Sequence, residues 1–362
     1  MNELEKARLE IDEIDEQMAK LFERRMRAGE RVARYKTEHA LPVLDKAREK
    51  EMLNGRPEKI SDSTLREYYS QFLRETMRLS REYQYRLSQG VKVAYSGVEG
   101  AFSHIAAQKI FPGGEYTPCS DFADAYRAVE NGDFDCAVLP VENSYAGAVG
   151  AVMDLIFSGS LYINQMIDLD IVHNLLAREE ASLQTIKTVV SHPQALAQCD
   201  AFIKEHGWDV VAYANTALAA KYVREEGDET VAAVASAETA RIFGLQVLES
   251  HINASKSNAT RFAVFSRAAN PPSPSSKNEN ECFVLVFTVR NEAGALAKAL
   301  NIIGAHNFNM RALRSRPMKG LLWNYYFYIE AEGNISSQSG QDMLRELSAV
   351  CARLRLVGSY SA

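Results

Sequence analysis

One arginine interrupts an otherwise apolar helix face. In KLFERRMRAG (residues 20–29), Arg25 lies on a stripe that repeats every three or four residues. The other members of that stripe are Leu4, Ala7, Ile11, Ile14, Met18, Leu21, Ala28, Val32 and Tyr35. Such spacing predicts a helix that packs against other helices through this face. A guanidinium keeps its charge at ordinary pH and is costly to bury unpaired. Arg25 therefore predicts an anion in the helical interior, either a structural carboxylate or a bound ligand.

Further cations lie near the same face. Arg8 lies beside the stripe, Lys36 lies eleven residues after Arg25, and Arg48 and Glu49 open the next predicted helix. Taken singly, Arg8, Lys36 and Arg48 fit solvated surface cations, but together they favour a small, multiply anionic ligand. Arg8 and Arg25 are separated by roughly 25 Å along one helix, which is further than a small metabolite can span. If both contact one ligand, Arg8 comes from a second chain, which predicts an intertwined antiparallel dimer with shared sites.

Three helices are predicted to position these residues. The first runs from about Leu4 to His39, because Pro42 prevents its continuation. LDKAREKEML (44–53) and STLREYYSQFLRETMRLSREYQYRL (63–87) predict the second and third, and Gly90 ends the pattern. A helix of roughly 50 Å is too long for a compact lone domain of this size. We therefore expect a second chain to cover the rest of its apolar stripe.

Residues 1–89 resemble the all-helical chorismate mutases. The resemblance rests on Arg8, Arg25, Lys36, Asp45, Arg48, Glu49, Ser80 and Gln84. It implies that Arg25 and Arg48 of one chain and Arg8 of the other hold the two carboxylates of chorismate. Lys36 and Gln84 would donate to the ether oxygen whose bond breaks, and Asp45, Glu49 and Ser80 would contact the hydroxyl and ring. A Claisen rearrangement needs a folded substrate and donors where negative charge grows, but no nucleophile.

Strand-like and helical runs alternate from VKVAY (91–95) to Ser266. AYRAVENGDFDCAVLP (125–140) is similar to AKYVREEGDETVAAVA (220–235), each predicting a helix, a Gly-Asp turn and a buried strand. VAYSGVEGAFSHIAA and TVVSHPQALAQC likewise each predict a strand, a loop and a helix. This alternation predicts parallel sheets with helices on their faces. Two similar halves predict two lobes with a ligand-binding cleft between them.

Four stretches of this segment, taken in order, resemble prephenate dehydratases: AYSGVEGAFSHIAA, LPVENSYAGAV, SHPQALAQC and SNATRFAVF. The resemblance implies a two-lobed, periplasmic-binding-protein-like fold and loss of CO2 and the ring hydroxyl from prephenate, giving phenylpyruvate. The substrate-binding residues it implies are Glu142, Asn143, Ser144, Ser191, Gln194, Thr260, Arg261 and Phe262.

Within this set the resemblance implies that Thr260 would supply the key hydroxyl, as a positioned donor or relay because its own pKa is too high for unaided acid catalysis. Arg261 would anchor a carboxylate, and Phe262 would pack. Residues 142–144 precede Gly147 and a predicted helix, and Pro193 suits a helix first turn. Structural alternatives stay open: a capping or hydrogen-bonded role for His104 and His192, and an ordinary strand position for Thr260.

RAANPPSPSSKNENE (267–281) has the composition of a linker. The segments after it predict strand, helix, two strands and helix, with a last strand near Val357, which is a βαββαβ ferredoxin-like unit. GALAKAL and LRSRP resemble the two phenylalanine-binding motifs of the ACT regulatory domain. The effector-binding residues this implies are Gly294, Ala295, Leu296, Arg314, Ser315, Arg316 and Pro317. Arg314 stands where the motif usually has Glu, a charge reversal that would weaken or alter effector binding; a purely structural ACT unit is the alternative.

The composition bounds the class of protein. With 362 residues, 46% hydrophobic and 24% charged, the chain fits a soluble protein of two or three domains. A net charge of −6 gives no general attraction to nucleic acid or to an anionic membrane, and no apolar run has the length of a span. The charged start MNELEKARLE does not fit a signal peptide, and five scattered cysteines predict neither disulfides nor zinc. We expect a cytoplasmic protein without metal or organic cofactor.

The whole chain is predicted to be multidomain: an all-α mutase domain at 1–89, a two-lobed α/β dehydratase domain at 90–267, a linker at 268–281 and an α+β ACT domain at 282–362. This order predicts a bifunctional enzyme of phenylalanine biosynthesis that acts on chorismate and prephenate. Phenylalanine is the expected effector, and a homodimer or a higher assembly is expected. Two alternatives stay open: a dehydratase that prefers arogenate, and a non-catalytic ligand sensor, against which the mutase cations argue.

Overall fold

The computed structural model describes residues 2–38, 44–255, 257–270, 281–318 and 324–361. These residues form two compact units. The first, the helical unit, comprises residues 1–91 with a short segment at 113–115, and the second, the mixed unit, comprises the remainder of the chain. Each unit is described by itself below.

The helical unit contains the three helices predicted from the sequence. They are α1 (Glu3–Glu38), α2 (Lys46–Gly55) and α3 (Ser63–Gln89), with a 3-10 turn (Pro57–Lys59) between the last two. Asp45 and Asp62 each accept a backbone N–H at the start of α2 and α3, and Gly90, at φ 86°, ends α3. The predicted end of the first helix, at His39 and Pro42, lies outside the described residues.

α1 packs against α3 only along part of its length. Ala33, Leu73 and Met77 are buried in the contact. At Gly29 a Cβ atom would lie 3.5 Å from Ser80 Oγ, so the two helices approach closely there. Along the rest of the stripe, apolar side chains are 45–58% exposed; these are Leu4, Ile11, Ile14, Met18, Leu21, Val32 and Tyr35. Among the described residues, nothing covers the N-terminal half of the apolar face of α1.

The mixed unit begins with two lobes. In chain order, the first lobe contains β1 (Lys92–Ser96), α4 (Phe102–Ile110), β2 (Glu115–Cys119), α5 (Phe122–Asn131), β3 (Cys136–Asn143), β4 (Gly147–Ala148), α6 (Gly150–Ser158) and β5 (Tyr162–Asp170). The second lobe contains β6 (Asn174–Ala177), β7 (Thr188–Ser191), α7 (Pro193–Gln198), α8 (Asp200–His206), β8 (Asp209–Ala212), α9 (Thr216–Glu225), β9 (Val231–Ala235), α10 (Ala237–Phe243) and β10 (Gln246–Glu249). The chain then returns to the first lobe as β11 (Ala259–Ser266).

The prediction of parallel sheets is correct only in part, because both sheets are mixed. The first has the order β2-β1-β3-β11-β5, and the second has the order β10-β6-β9-β7-β8. β1 and β3 are parallel, as are β7, β8 and β9, whereas β11 is antiparallel to both its neighbours and β6 is antiparallel to β9. Alternation along the chain cannot reveal β11, whose partner on β3 lies more than a hundred residues earlier. The similarity of the two halves is confirmed, since α5–β3 and α9–β9 repeat the same helix-turn-strand.

The last part of the mixed unit, here called the C-terminal domain (residues 281–361), is the predicted βαββαβ unit. Its elements are β12 (Glu281–Thr288), α11 (Ala295–Ala305), β13 (Asn309–Pro317), β14 (Tyr325–Glu332), α12 (Gln338–Val350) and β15 (Arg353–Ser361). The antiparallel sheet has the order β13-β14-β12-β15.

Alternate side chains of β12 belong to two different hydrophobic cores. Phe283, Leu285 and Phe287 pack against α11 and α12, while Cys282 and Val284 join the core of the first lobe. Because side chains alternate between the faces of a strand, one strand can be apolar on both sides only when both faces are covered. The C-terminal domain is therefore docked on the first lobe through its sheet.

No helix in the described parts of the chain combines the length and the apolar character that a membrane crossing requires.

Candidate active sites

In the helical unit, Arg25 is half-buried between α1 and α3. Its Nη1 donates to the carbonyl of Thr76 at 3.3 Å. No carboxylate among the described residues lies within ion-pair distance of it, so the predicted alternative of a structural ion pair finds no partner there. Burial, and then the nearby positive charge of Arg56, lowers the pKa of Arg25. A half-buried cation beside a second cation is a site that favours an anion.

Two polar residues of α3 lie on the face that meets α1. Ser80 and Gln84 are one helical turn apart and buried, each 8% exposed. Gln84 Nε2 donates to Ser80 Oγ at 3.3 Å, while the buried Gln84 Oε1 has no hydrogen-bond partner among the described residues. A buried polar atom without a partner is costly, and a bound ligand would satisfy it. The structure thus brings Arg25, Ser80 and Gln84 to the same α1–α3 interface.

The other predicted mutase residues are placed differently within one chain. Asp45 caps α2 by accepting from the Arg48 N–H at 2.9 Å, and Arg48 Nη1 pairs with Glu51 at 2.6 Å on the exposed surface. Glu49 pairs with Arg81 of α3, a residue that the sequence analysis did not single out. Lys36 lies in the last turn of α1, and Arg8 is exposed near its start. Arg8 remains about 25 Å from Arg25 along the helix.

In the mixed unit, a cleft of about 670 Å3 contains Asn143, Gln194, Thr260 and Phe262 in its lining. Asn143 ends β3 and lies directly opposite Thr260 on β11. Asn143 Nδ2 donates to Thr260 Oγ1 at 2.9 Å, and Asn143 Oδ1 accepts from Gln194 Nε2 at 3.3 Å. In this hydrogen bond the Thr260 hydroxyl oxygen is the acceptor, and its own hydrogen has no acceptor among the described residues. The hydroxyl hydrogen is therefore available to donate to a ligand in the cleft.

A polar chain that the sequence analysis did not predict runs beside this pair. Asn143 Nδ2 lies 3.1 Å from Asn258 Oδ1, and Asn258 Nδ2 donates to Gln198 Oε1 at 2.9 Å. His173 Nε2 lies 2.9 Å from the same Gln198 oxygen and therefore carries the proton. His173 Nδ1 and Gln198 Nε2 are buried without partners among the described residues, and both residues line the cleft. Burial lowers the pKa of His173, so its imidazole is neutral.

The cleft carries no formal positive charge among its described lining residues. Four helices instead begin at it, because the lining includes the first residues or caps of α4, α5, α7 and α9. The free N–H groups and the positive dipole end of a helix N-terminus attract anions. The cleft is thus built to receive an anion through neutral donors. His192 caps α7 by accepting from the Gln194 N–H, and His104 accepts from the Gly100 N–H at 3.1 Å; these are the contacts that the structural alternative describes for the two histidines.

Four predicted prephenate-binding residues do not line this cleft: Glu142, Ser144, Ser191 and Arg261. Arg261 follows Thr260 on β11 and so points to the opposite face, where it pairs with Asp168 at 2.8 Å and Glu330 at 3.2 Å. Glu142 points to the same rear face and pairs with Arg314. Ser191 is fully buried and donates to the Val234 carbonyl at 2.6 Å.

Ser144 lies at the edge of the first lobe, beside a smaller cavity. Its hydroxyl donates to the Ser257 carbonyl at 3.1 Å and accepts from the Ala259 N–H at 3.0 Å. These bonds tie the turn after β3 to the start of β11, next to Thr260. Ser144 thus holds the strand pair together rather than facing the 670 Å3 cleft.

The two predicted effector motifs are not brought together within one chain. Gly294, at φ 80°, precedes α11 and lines a groove of about 540 Å3 together with Ala295. Leu296 instead packs against the hydrophobic core of the C-terminal domain. Arg314, Ser315, Arg316 and Pro317 lie on β13 and do not line that groove. Arg316 pairs with Asp154 of the first lobe at 3.2 Å. Within the described residues, no group of three or more His, Cys, Asp or Glu side chains is arranged to hold a metal ion.

Comparison with known proteins connects both sites to one family. The family model for chorismate mutase type II matches residues 7–85, and that for prephenate dehydratase matches residues 93–270. The bifunctional chorismate mutase/prephenate dehydratase of Aquifex aeolicus is 33% identical over 367 residues, which cover 99% of this chain and 98% of that protein. The chain belongs to the bifunctional chorismate mutase/prephenate dehydratases. The helical unit, which contains the mutase match, is called the mutase unit below, and residues 93–270, which the prephenate dehydratase model matches, are called the dehydratase domain.

Other relatives share the part of the chain outside the mutase unit. The arogenate dehydratase/prephenate dehydratase 2 of Arabidopsis thaliana is 36% identical over 281 residues, covering 75% of this chain and 72% of that protein. The crystal structure of prephenate dehydratase from Arthrobacter aurescens in complex with L-Phe is 29% identical with a TM-score of 0.69, covering 75% of this chain and 90% of that one. A structure described as a novel type of quorum-quenching acylase is 33% identical with a TM-score of 0.68, covering 75% of this chain and 98% of that one.

Proposed function

We propose that this chain rearranges chorismate to prephenate in the mutase unit, and that its dehydratase domain converts prephenate to phenylpyruvate with loss of CO2 and water. The observation that carries the proposal is the pair of separate polar sites. One holds a half-buried cation without a carboxylate partner among the described residues, and the other aims a threonine hydroxyl into a cleft. The first suits a reaction that needs only clamping and charge stabilisation, and the second suits one that needs a positioned proton donor.

In the mutase reaction, Arg25 binds a carboxylate of chorismate, and Gln84 donates to the ether oxygen together with Lys36. Burial of Gln84 supports this role, because a donor in a water-excluded site stabilises developing charge more than one in water does. Arg48, Asp45, Glu49 and Ser80 complete the contacts. Arg8 reaches the site from the partner chain of an antiparallel dimer, whose interface is the exposed apolar stripe of α1. The length of α1 and the 45–58% exposure of that stripe support the dimer.

In the dehydratase reaction, the cleft binds the dianionic substrate through helix N-termini, Gln194 and Asn143. Thr260 donates a hydrogen bond to the ring hydroxyl as it departs, while the bond to the leaving carboxylate breaks and its electron pair enters the ring. The ring becomes aromatic, the carboxylate leaves as CO2, and the hydroxyl leaves as water with one proton that comes from solvent through the Thr260 hydroxyl, which acts as a relay and is neutral again afterwards. Asn143 orients Thr260 for this step, and Phe262 packs beneath it.

The C-terminal domain acts as an ACT-type regulatory domain that binds phenylalanine through the α11 N-terminus. Its βαββαβ fold and the groove at Gly294 support this role. The solved dehydratase structure with bound L-Phe adds support from a related protein. Arg314 and Arg316 are engaged by the dehydratase domain and are therefore not included in the phenylalanine site. Isothermal calorimetry with L-phenylalanine should show binding; absence of both heat and thermal stabilisation would contradict the regulatory role.

A reciprocal pair of variants tests the two activities in one chain. Lys36→Ala should abolish chorismate turnover while prephenate is still converted, and Thr260→Val should do the reverse. Mutase activity is measured as the disappearance of chorismate, and dehydratase activity is measured as phenylpyruvate formation from supplied prephenate. Loss of both activities in either variant would indicate a folding defect, which circular dichroism detects. Retention of both in either variant would remove that residue from the mechanism.

The same assay separates the alternatives. If the protein were a ligand sensor, the wild-type protein would convert neither chorismate nor prephenate. The name of the Arabidopsis relative gives both an arogenate and a prephenate dehydratase activity for that protein. An arogenate-preferring enzyme would form phenylalanine from arogenate with a higher kcat/KM than it forms phenylpyruvate from prephenate.

A further inference from the structure

The catalytic strand pair has a front and a rear face with different tasks. β3 and β11 place Asn143 opposite Thr260 and Glu142 opposite Arg261. Residues that lie opposite each other on paired strands share a face, and consecutive residues alternate. Asn143 and Thr260 therefore face the cleft, whereas Glu142 and Arg261 face the C-terminal domain.

Glu142 and Arg261, the two charged residues on the rear face, each form an ion pair with a residue of the C-terminal domain. Glu142 pairs with Arg314 of β13, and Arg261 pairs with the 2% exposed Glu330 of β14. The Arg314 guanidinium also lies 5.5 Å from the centre of the buried Tyr328 ring, and its side chain is only 21% exposed. A planar guanidinium stacked on an aromatic ring is held in one orientation, so the carboxylate that pairs with it is held as well.

The strand is irregular at this point. Arg261 pairs with Glu142 but Phe262 pairs with Pro140, so Val141 is an extra residue in β3 immediately before Glu142. A bulge of this kind twists a strand and redirects the side chains that follow it, and bulges are frequent beside active sites. The rotation of β3 after Val141 sets where Asn143 points. Asn143 in turn fixes the Thr260 hydroxyl through the 2.9 Å hydrogen bond.

We propose that Arg314 is a positioning residue for the dehydratase reaction: its ion pair with Glu142 fixes β3 after the bulge and thereby holds Asn143 against Thr260. This inference rests on the proposed dehydratase activity of the cleft. It assigns a task to the arginine that replaces the glutamate expected at this position from the resemblance to ACT domains. The substitution converts a residue of the C-terminal domain into a support for the site of the neighbouring domain.

Other contacts between the same two domains provide a control. Tyr326 Oη donates to Asp154 at 2.9 Å, and Asp154 lies on α6 rather than on the catalytic strands. Tyr326→Phe removes one polar contact between the domains without opening a cavity. It should leave dehydratase kinetics unchanged. Arg314→Gln also removes one polar contact between the domains, the ion pair with Glu142, but this contact lies behind Asn143.

The experiment compares kinetics in the full-length protein. Arg314→Gln should lower kcat for prephenate about tenfold, because a small displacement of a catalytic group is costly, and should change KM less than twofold. Glu142→Gln should have the same effect. Arg314→Lys should retain part of the activity, and the double reversal Arg314→Glu with Glu142→Arg should recover most of it. Mutase turnover by the same samples should be unchanged, which shows that the mutase unit is folded, and an unchanged circular dichroism spectrum shows the same for the rest of the chain.

Three results would overturn the proposal: a wild-type kcat in Arg314→Gln, an equal loss in Tyr326→Phe, or a double reversal no better than the single reversals. If Arg314→Gln does not fold, Glu142→Gln and Arg314→Lys decide the question by the same criteria. A wild-type protein that converts no prephenate would instead refute the dehydratase function. An active wild type with an unaffected Arg314→Gln would refute only the positioning role.

Discussion

The ion pair between Arg261 and Glu330 yields the sharpest prediction, because sequence and structure assign Arg261 different tasks. The resemblance to dehydratases suggests a substrate anchor, whereas the structure places Arg261 on the rear face against a carboxylate that is 2% exposed. Arg261→Gln removes the charge and shortens the side chain, but keeps a polar group at its end. Glu330 would then keep only the more distant Arg311, at 3.8 Å, as a cationic partner among the described residues.

The magnitude follows from the burial of Glu330. Removing one partner of a buried ion pair typically costs about 3–5 kcal/mol, because the remaining charge is left without compensation. Since Arg311 stays nearby, the lower end of that range applies, about 3 kcal/mol. For a domain of this size a loss of 1 kcal/mol lowers Tm by about 2–4 °C, so the expected fall in Tm is about 6–12 °C.

Two further variants separate the contribution of the buried Arg261–Glu330 ion pair from that of the Arg261–Asp168 ion pair. Asp168, the other partner of Arg261, has a side chain that is 58% exposed. Asp168→Asn should therefore lower the free energy of unfolding by less than about 1 kcal/mol. The double variant Arg261→Gln with Glu330→Gln removes both buried charges and should recover most of the lost stability. Differential scanning calorimetry and prephenate kinetics are measured on the same preparations. An unchanged Tm in Arg261→Gln together with a tenfold higher KM for prephenate would refute the structural assignment and restore the substrate anchor.

Three further perturbations test other parts of the structure. Leu21→Asp, on the exposed stripe of α1, should dissociate the proposed dimer and abolish mutase turnover while prephenate conversion persists; a wild-type monomer in sedimentation experiments would contradict the dimer. Burial lowers the pKa of His104, so the unfolded chain takes up a proton first as the pH falls below about 6.5, and the folded state loses stability in that direction. The fall in Tm from about pH 7.5 to about pH 5.5 should therefore be smaller in His104→Gln than in the wild-type protein. An equal fall in the two proteins would contradict the assignment. Asp62→Ala removes the side chain that accepts from the Thr64 and Leu65 N–H groups at the start of α3 and should cost about 1 kcal/mol in chemical denaturation; no loss would show that the cap is replaced by water.

Helix spacing and turn residues predicted most of the secondary structure. The apolar stripe of α1, the glycine after α3 and the repeated helix-turn-strand in the two lobes are all local signals, and each is found in the structure. The placement of β11 between β3 and β5 was not predicted by any local pattern, because strand pairing depends on contacts across more than a hundred residues. The mixed character of the sheets follows from that pairing.

The residues of the candidate sites were also predicted with uneven success, because some of them are placed by contacts between residues that are far apart in the chain. Thr260 and Asn143 belong to motifs, and the structure places them in contact. Arg261 lies in the same motif, but strand alternation turns it away from the cleft, and only the docked C-terminal domain explains its partner. His173 lies in no motif that the sequence analysis singled out; its importance appears only when the second lobe places it against Gln198. Residues that act through tertiary contacts leave little signal in their neighbours along the chain.

The two proposed sites would receive anionic substrates by different means, and the chemistry explains the difference. In the rearrangement of chorismate both carboxylates keep their charge from ground state to transition state, so the fixed cation proposed for this site, Arg25, would cost nothing in rate. In the conversion of prephenate one carboxylate leaves as neutral CO2, and a cation bound to it would stabilise the ground state more than the transition state. A cleft lined by helix N-termini and neutral donors avoids that penalty.

This contrast has a measurable consequence in the wild-type protein. Salt screens attraction between formal charges over a Debye length of about 10 Å at 0.1 M, whereas short hydrogen bonds from neutral donors in a cleft depend on it much less. Raising the salt concentration from about 0.05 M to about 0.5 M should therefore lower kcat/KM for chorismate several-fold more than kcat/KM for prephenate. Sodium chloride and potassium chloride should act alike, since the effect depends on ionic strength. Equal salt dependence of both activities would mean that a cation outside the described lining also guides prephenate into the cleft.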